Sequence, residues 1–267
     1  MLNNLNELIV SFINFNGFVN FFNSIPVEFT WLIFLLFCFI SIIIFLKLFG
    51  EIGLYIYTVI AIIFANIQIL KIVKFSFFDE PIALGTILFA STFLCTDILS
   101  EYYGKEKARK NVLIGFLGFL FMTVIALFTL GFKPLGDDLA VNEYSWALTT
   151  EESLLNIFLP FPIFFLSSMF AYLISQYFDI WFFNFISKKT NKKYLWIRNN
   201  LSTSISSLID NTVFSLCAFV IFALNPLPLN IVIFTYILGT YILRIFISLI
   251  DTPFIYIAKY FINKTKL

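Results

Sequence analysis

The sequence predicts an all-α fold, a polytopic transmembrane helix bundle of about seven spans with its N-terminus outside and its C-terminus in the cytoplasm. Three observations predict it. Hydrophobic residues make up 60% of the chain and charged residues 12%, about half the charge of a typical soluble domain. The apolar residues gather in runs near twenty long, the length an α-helix needs to cross about 30 Å of hydrocarbon. Basic residues crowd the same side of successive runs, as the positive-inside rule requires.

The first element is an N-terminal segment, residues 1–29. Within it, residues 5–22 mix Ile, Val and Phe with repeated Asn, a pattern expected of an amphipathic helix lying in the membrane interface. Glu7 and Glu28 are present, but no basic stretch precedes an apolar core, so the segment does not read as a cleavable leader. Residues 30–267 then form one transmembrane domain, with spans expected at 31–49, 54–73, 82–99, 112–132, 160–186, 201–224 and 231 to about 261. The last is too long for one straight crossing, and Pro253 within it removes a backbone donor and predicts a kink.

Charge tests this count. With the N-terminus outside, Lys47, the loop bearing Lys105, Lys107, Arg109 and Lys110, the loop bearing Lys188, Lys189, Lys192, Lys193 and Arg198, and the tail bearing Lys259, Lys264 and Lys266 all fall in the cytoplasm. That places thirteen of seventeen basic residues on one side. Lys71, Lys74 and Lys133 fall outside, in loops shared with seven acids from Asp79 to Glu152. A six-span count would break the alternation.

Several functions are excluded by inventory. A net charge of +1 argues against an electrostatic nucleic-acid binder. Cys38, Cys95 and Cys217 lie inside apolar runs, where they read as small packing residues and not as a disulfide or zinc framework. The chain has no histidine, which rules out HExxH and Ser–His chemistry, and no GxSxG elbow. Gly104-Lys105 lacks the spacing of a Walker loop and serves as an orientation signal. Nothing calls for a metal or a cofactor. A membrane aspartyl enzyme stays open, because Asp97, Asp179, Asp210 and Asp251 offer candidate pairs.

Those acids are the costly residues. With Arg244 they lie within or at the ends of spans, and Glu101 lies one turn beyond Asp97. A central Asp or Arg opposes insertion by about 2.5–3.5 kcal/mol, so pairing or a watery cavity must compensate. Helical spacing gathers them into faces: Asp97 with Glu101; Gln176 with Asp179; Asn199, Thr203, Ser206 and Asp210 as one stripe; Arg244 with Asp251. The bland reading is that Arg244 pairs with a carboxylate, the other acids snorkel, and hydroxyls and amides hold helices together. Intramembrane ionisable residues are nevertheless functional by default. Asn66 and Gln68, amides in the second span, fit helix glue and ligand contact equally.

Four ordered segments carry a family resemblance. They are the stretch Thr96-Asp97-Ile98-Leu99-Ser100-Glu101-Tyr102-Tyr103-Gly104-Lys105, then Ser175-Gln176-Tyr177-Phe178-Asp179, then Arg198-Asn199-Asn200-Leu201-Ser202-Thr203 with Ile209-Asp210-Asn211-Thr212, and finally Asp251-Thr252-Pro253-Phe254. In this order they resemble the queuosine precursor transporter family, also called vitamin uptake transporters, over roughly residues 53–260. Asn211 departs from the Thr often found there.

The resemblance implies uptake of a 7-deazaguanine across a bacterial cell membrane for queuosine modification of transfer RNA. The cargo would be 7-cyano-7-deazaguanine, 7-aminomethyl-7-deazaguanine or queuine. A guanine-like edge offers N–H donors to a carboxylate and an O6 acceptor to an amide or guanidinium. Asp179 or Asp210 is therefore expected to accept from N1–H and the exocyclic amine, with Gln176, Asn199 or Arg198 at O6 and Asn66 nearby. Asp97, Glu101, Arg244 and Asp251 would hold helices or couple conformations. Proton coupling through carboxylates, facilitated diffusion with trapping, and an ATP-driven partner all stay open, as does a homo-oligomer. The rival readings are transport of another vitamin or heterocycle, and a membrane-embedded enzyme.

Overall fold

The apolar runs become helices in the computed structural model, which describes residues 16–78, 81–136, 144–159, 161–223 and 225–262. In chain order these are α1 (Asn16–Ser24), α2 (Val27–Phe49), α3 (Glu51–Gln68), β1 (Ile72–Val73), β2 (Ile82–Ala83), α4 (Thr86–Tyr102), α5 (Lys105–Gly131), α6 (Ser145–Phe158), α7 (Phe161–Lys189) and α8 (Leu195–Leu216). A π-helical turn, Cys217–Ile221, extends α8. The short α9 (Leu229–Ile231) runs through a π-helical stretch, Val232–Gly239, into α10 (Thr240–Ile262).

Five of these are long and apolar enough to cross a membrane: α2, α3, α5, the helix Leu195–Ile221 and the helix Leu229–Ile262. Helix α2 shows why. Ile33, Phe37, Ile40, Ile44 and Leu48 form an exposed apolar stripe, while Leu35, Phe39, Ile42 and Leu46 are buried. A helix apolar on both faces is at home in lipid.

Helices α4 and α7 occupy the third and fifth positions expected from sequence. Fourteen of the seventeen residues of α4 are buried. It packs against α2, α3, α5, α7 and α10, so it needs no lipid-facing side and can carry Ser91, Thr92, Thr96 and Asp97 inward. Its neighbours α3, α5 and α7 approach closely at Gly115 of α5, where a Cβ would lie 2.6 Å from Ile62 Cδ1 and 2.7 Å from the Tyr172 hydroxyl and would force those side chains to shift.

The structure corrects the sequence in three places. The fold is mostly helical but not wholly so, because β1 and β2 pair antiparallel with Ile72 opposite Ala83 and Val73 opposite Ile82. The expected span 54–73 consequently overshoots: α3 ends at Gln68, and β-branched Ile72, Val73 and Ile82 form a ladder instead. Helix α6 lies in a stretch read as an acidic loop; its Leu and Trp residues were outweighed by Glu151 and Glu152. Pro253 sits inside α10, which runs on to Ile262. Of the expected N-terminal amphipathic helix, residues 5–15 lie outside the described residues. Its end is helical in α1, with Phe18 and Phe21 exposed.

Candidate functional site

Helices α4, α7, α8 and α10 carry nearly all the polar side chains buried in the bundle, and these fall into levels along the helices. The first level is a cavity of about 230 Å³. Its polar wall is Asp210 and Asn211 of α8 with Thr240 and Arg244 of α10, and its apolar wall includes Phe89, Phe214, Phe219 and Tyr236. The β-hairpin and the start of α4 close one end through Ile72, Ile82 and Thr86.

Asp210 and Arg244 form an ion pair at 2.5 Å, with side chains 10% and 8% exposed. The Ser175 hydroxyl donates to the other Asp210 oxygen at 3.0 Å. A carboxylate has about four lone-pair positions, so Asp210 can still accept from a ligand. The Asn211 amide donates to Thr240 Oγ1 at 2.8 Å and to the Ile237 carbonyl at 3.1 Å, tying α8 to the π-helical stretch. On that stretch Tyr236 lies against Phe219, ring centroids 4.2 Å apart. The π-helical segments thus bring both rings to the cavity.

The second level is a belt of neutral hydrogen bonds. The Gln176 amide donates to Thr92 Oγ1 at 3.0 Å and accepts from the Thr96 hydroxyl at 3.0 Å, fastening α7 to α4. Asn66 accepts from the Ser168 hydroxyl at 2.7 Å. Ser168 lines the cavity, so Asn66 meets it through that hydroxyl.

The third level holds Asp97, Asp179 and Asp251, each with no exposed surface. They come from three helices, and α8 supplies donors to each: Thr203 to Asp97 at 3.3 Å, Ser206 to Asp179 at 2.8 Å with the Ser202 hydroxyl also within its reach, and the Asn199 amide to Asp251 at 2.8 Å. The carboxyls of Asp97 and Asp179 also lie within hydrogen-bonding reach of each other. Beyond this layer Arg198 pairs with Glu101 and sits 5.4 Å from the Phe183 ring centroid.

The residues singled out from sequence are therefore buried together but not in one place. Asp210 lines the cavity; so does Arg244, expected from sequence to hold helices or couple conformations, and its ion pair joins α10 to α8. Gln176 and Asn66 lie in the belt, Asp179 and Asn199 in the carboxylate layer with Asp97 and Asp251, and Arg198 with Glu101 at the far end. Sequence reasoning missed Ser168 and Ser175 as well as the two rings. The serines had a signal, since Ser168, Ser175 and Asp179 are spaced seven and four along one face of α7. The rings had none, because nothing local distinguishes Phe219 and Tyr236 from the other aromatics.

Comparison with known proteins adds two findings. Residues 83–258, about two thirds of the chain, match the family described as "Putative vitamin uptake transporter". Over 230 residues the chain is 32% identical to a protein of Bacillus subtilis (strain 168) named "Probable queuosine precursor transporter", covering 86% of this chain and 93% of that protein. No solved structure matches the chain.

Proposed function

The chain belongs to the vitamin uptake transporter family, and from that premise we propose that it imports a queuosine precursor, a 7-deazaguanine base, seated on Asp210 and Arg244. The observation that carries this reading is the chemistry of the cavity. Asp210 accepts from the base's N1–H and exocyclic amine, and the Arg244 guanidinium donates to O6, a planar donor–acceptor match to the guanine edge. Phe89, Phe214, Phe219 and Tyr236 supply the apolar and stacking surface. At about 230 Å³ the cavity is smaller than the roughly 300 Å³ where pockets for drug-sized ligands begin. That suits a bare base better than a nucleotide.

In this reading all seven long helices cross the bacterial cell membrane, with the N-terminus outside and the C-terminus in the cytoplasm. Residues 1–29 lie at the interface and 30–267 form the transporter domain. The cavity then sits in the outer half and the carboxylate layer in the inner half, between the base and the cytoplasm.

Expression in a bacterium that can neither make nor import queuosine precursors tests the proposal. The wild-type chain restores queuosine in transfer RNA when a 7-deazaguanine is supplied. The double variant Asp210→Asn with Arg244→Gln, which keeps the cavity uncharged and neutral, does not. Full salvage by that variant at wild-type membrane levels, or no salvage by the wild-type chain, would overturn it.

A further inference from the structure

We propose that Asp97, Asp179 and Asp251 form a proton-binding site whose occupancy couples uptake to the proton gradient across the membrane. The coupling, though not the site, rests on the transport reading above.

The layer is short of hydrogen-bond donors. Asp97 Oδ1, Asp179 Oδ2 and Asp251 Oδ2 are buried with no hydrogen-bond partner among the described residues. So is Asn199 Oδ1, the oxygen of the very amide whose nitrogen donates to Asp251. Asn199 is wholly buried, and its acceptor is independent of the acids. Four unpartnered oxygens from α4, α7, α8 and α10 thus share one buried region, where leaving each unmatched is costly.

Among the described residues no cation is at hand to match them. Arg244 is bound to Asp210 and Arg198 to Glu101. The charged groups acting on the three acids are the acids themselves. Past the layer lie the paired Glu101 and Arg198, with Tyr102 and Tyr256 near enough to interact electrostatically; Tyr102 donates to the Ile255 carbonyl at 2.9 Å. From α2, α3 and α5 come Lys47, 5.8 Å from the Phe261 ring centroid, and Glu51 and Lys107, paired at 2.7 Å.

Carboxylates out of water and without a counter-cation are held by protons. A proton turns an acceptor oxygen into a donor, which is what Asp97 and Asp179, already within reach of each other, lack. No group of metal-ligating side chains occurs among the described residues. The three acids lie on three helices that also frame the cavity or its belt, so proton loss and helix movement act on the same elements. A proton taken from outside with the base and released inside closes the cycle without covalent chemistry.

Two measurements test this, and the first needs no substrate. Infrared difference spectra of the protein in lipid, recorded across a pH step, will show a protonated carboxyl band that disappears in Asp97→Asn, Asp179→Asn and Asp251→Asn but persists in Asp179→Glu. Identical spectra for the wild-type protein and all three Asn variants would overturn the site. The second uses proteoliposomes loaded with 7-cyano-7-deazaguanine, which is uncharged at neutral pH. One pH unit, acid outside, drives about tenfold accumulation per coupled proton, and the Asn variants lose accumulation while still exchanging labelled for unlabelled base. Uptake that stops at equal concentrations whatever the gradient, or that follows sodium instead, would overturn the coupling. A protein that neither binds nor exchanges the base would instead contradict the substrate assignment, and the infrared result would stand apart from it.

Discussion

The cavity and the carboxylate layer are both buried, both acidic and both built on α8, yet they treat charge in opposite ways. In the cavity Asp210 has a guanidinium at 2.5 Å and a hydroxyl at 3.0 Å, so the region is balanced. One to three turns earlier on α8, the layer gives three acids only neutral donors and leaves one oxygen of each unmatched. A balanced pair is ready for a neutral polar base; an unbalanced trio is ready for a positive ion. The difference teaches that buried acids in one membrane bundle need not serve one site.

The largest expected effect comes from unbalancing the cavity. Asp210→Asn leaves Arg244 buried and unpaired, a loss of about 3–5 kcal/mol of stability, read as a large drop in thermal unfolding temperature together with loss of uptake. Adding Arg244→Gln restores most of the stability and none of the uptake. If the single variant is as stable as wild type, the pair is not what holds α8 to α10.

Next comes the layer, where the sign reverses. Asp251→Asn removes an unmatched acid and brings its own N–H donors, so stability at neutral pH holds or rises by about 1 kcal/mol. A fall of several kcal/mol would mean that the layer is balanced after all.

Much of this contrast was legible in the sequence. Asp97, Asp179, Asp210, Asp251 and Arg244 stood out because charge within an apolar run is costly, and helical spacing gathered Asn199, Thr203, Ser206 and Asp210 into the stripe that feeds both regions. Spacing within a helix could not say which stripes face each other. That Asp210 meets Arg244 while Asp97 meets Asp179 depends on how α4, α7, α8 and α10 are rotated about their axes, which side-chain packing between helices sets. The β-hairpin was hidden for another reason: Ile72 and Val73 are as apolar as a span requires, and only their pairing reveals a strand.

A smaller effect is expected at the cavity's apolar wall. Tyr236→Leu removes one ring of the Tyr236–Phe219 contact and weakens base binding about 2- to 10-fold, from about 0.5–1.5 kcal/mol of aromatic contact. Titration of the purified protein with base will show it, and an unchanged affinity would place the base away from those rings. Smallest is Lys107→Ala, which breaks the partly exposed pair with Glu51. It costs at most about 1 kcal/mol and leaves uptake intact, which marks how far a surface pair falls below the buried one.

Equilibrium binding of a tritiated 7-deazaguanine tests the central claim most directly, with wild-type protein beside the Asp210→Asn, Arg244→Gln double variant in the same lipid. The account predicts saturable binding to the wild type and none to the folded double variant. Equal binding by both would show that the base is not read by Asp210 and Arg244.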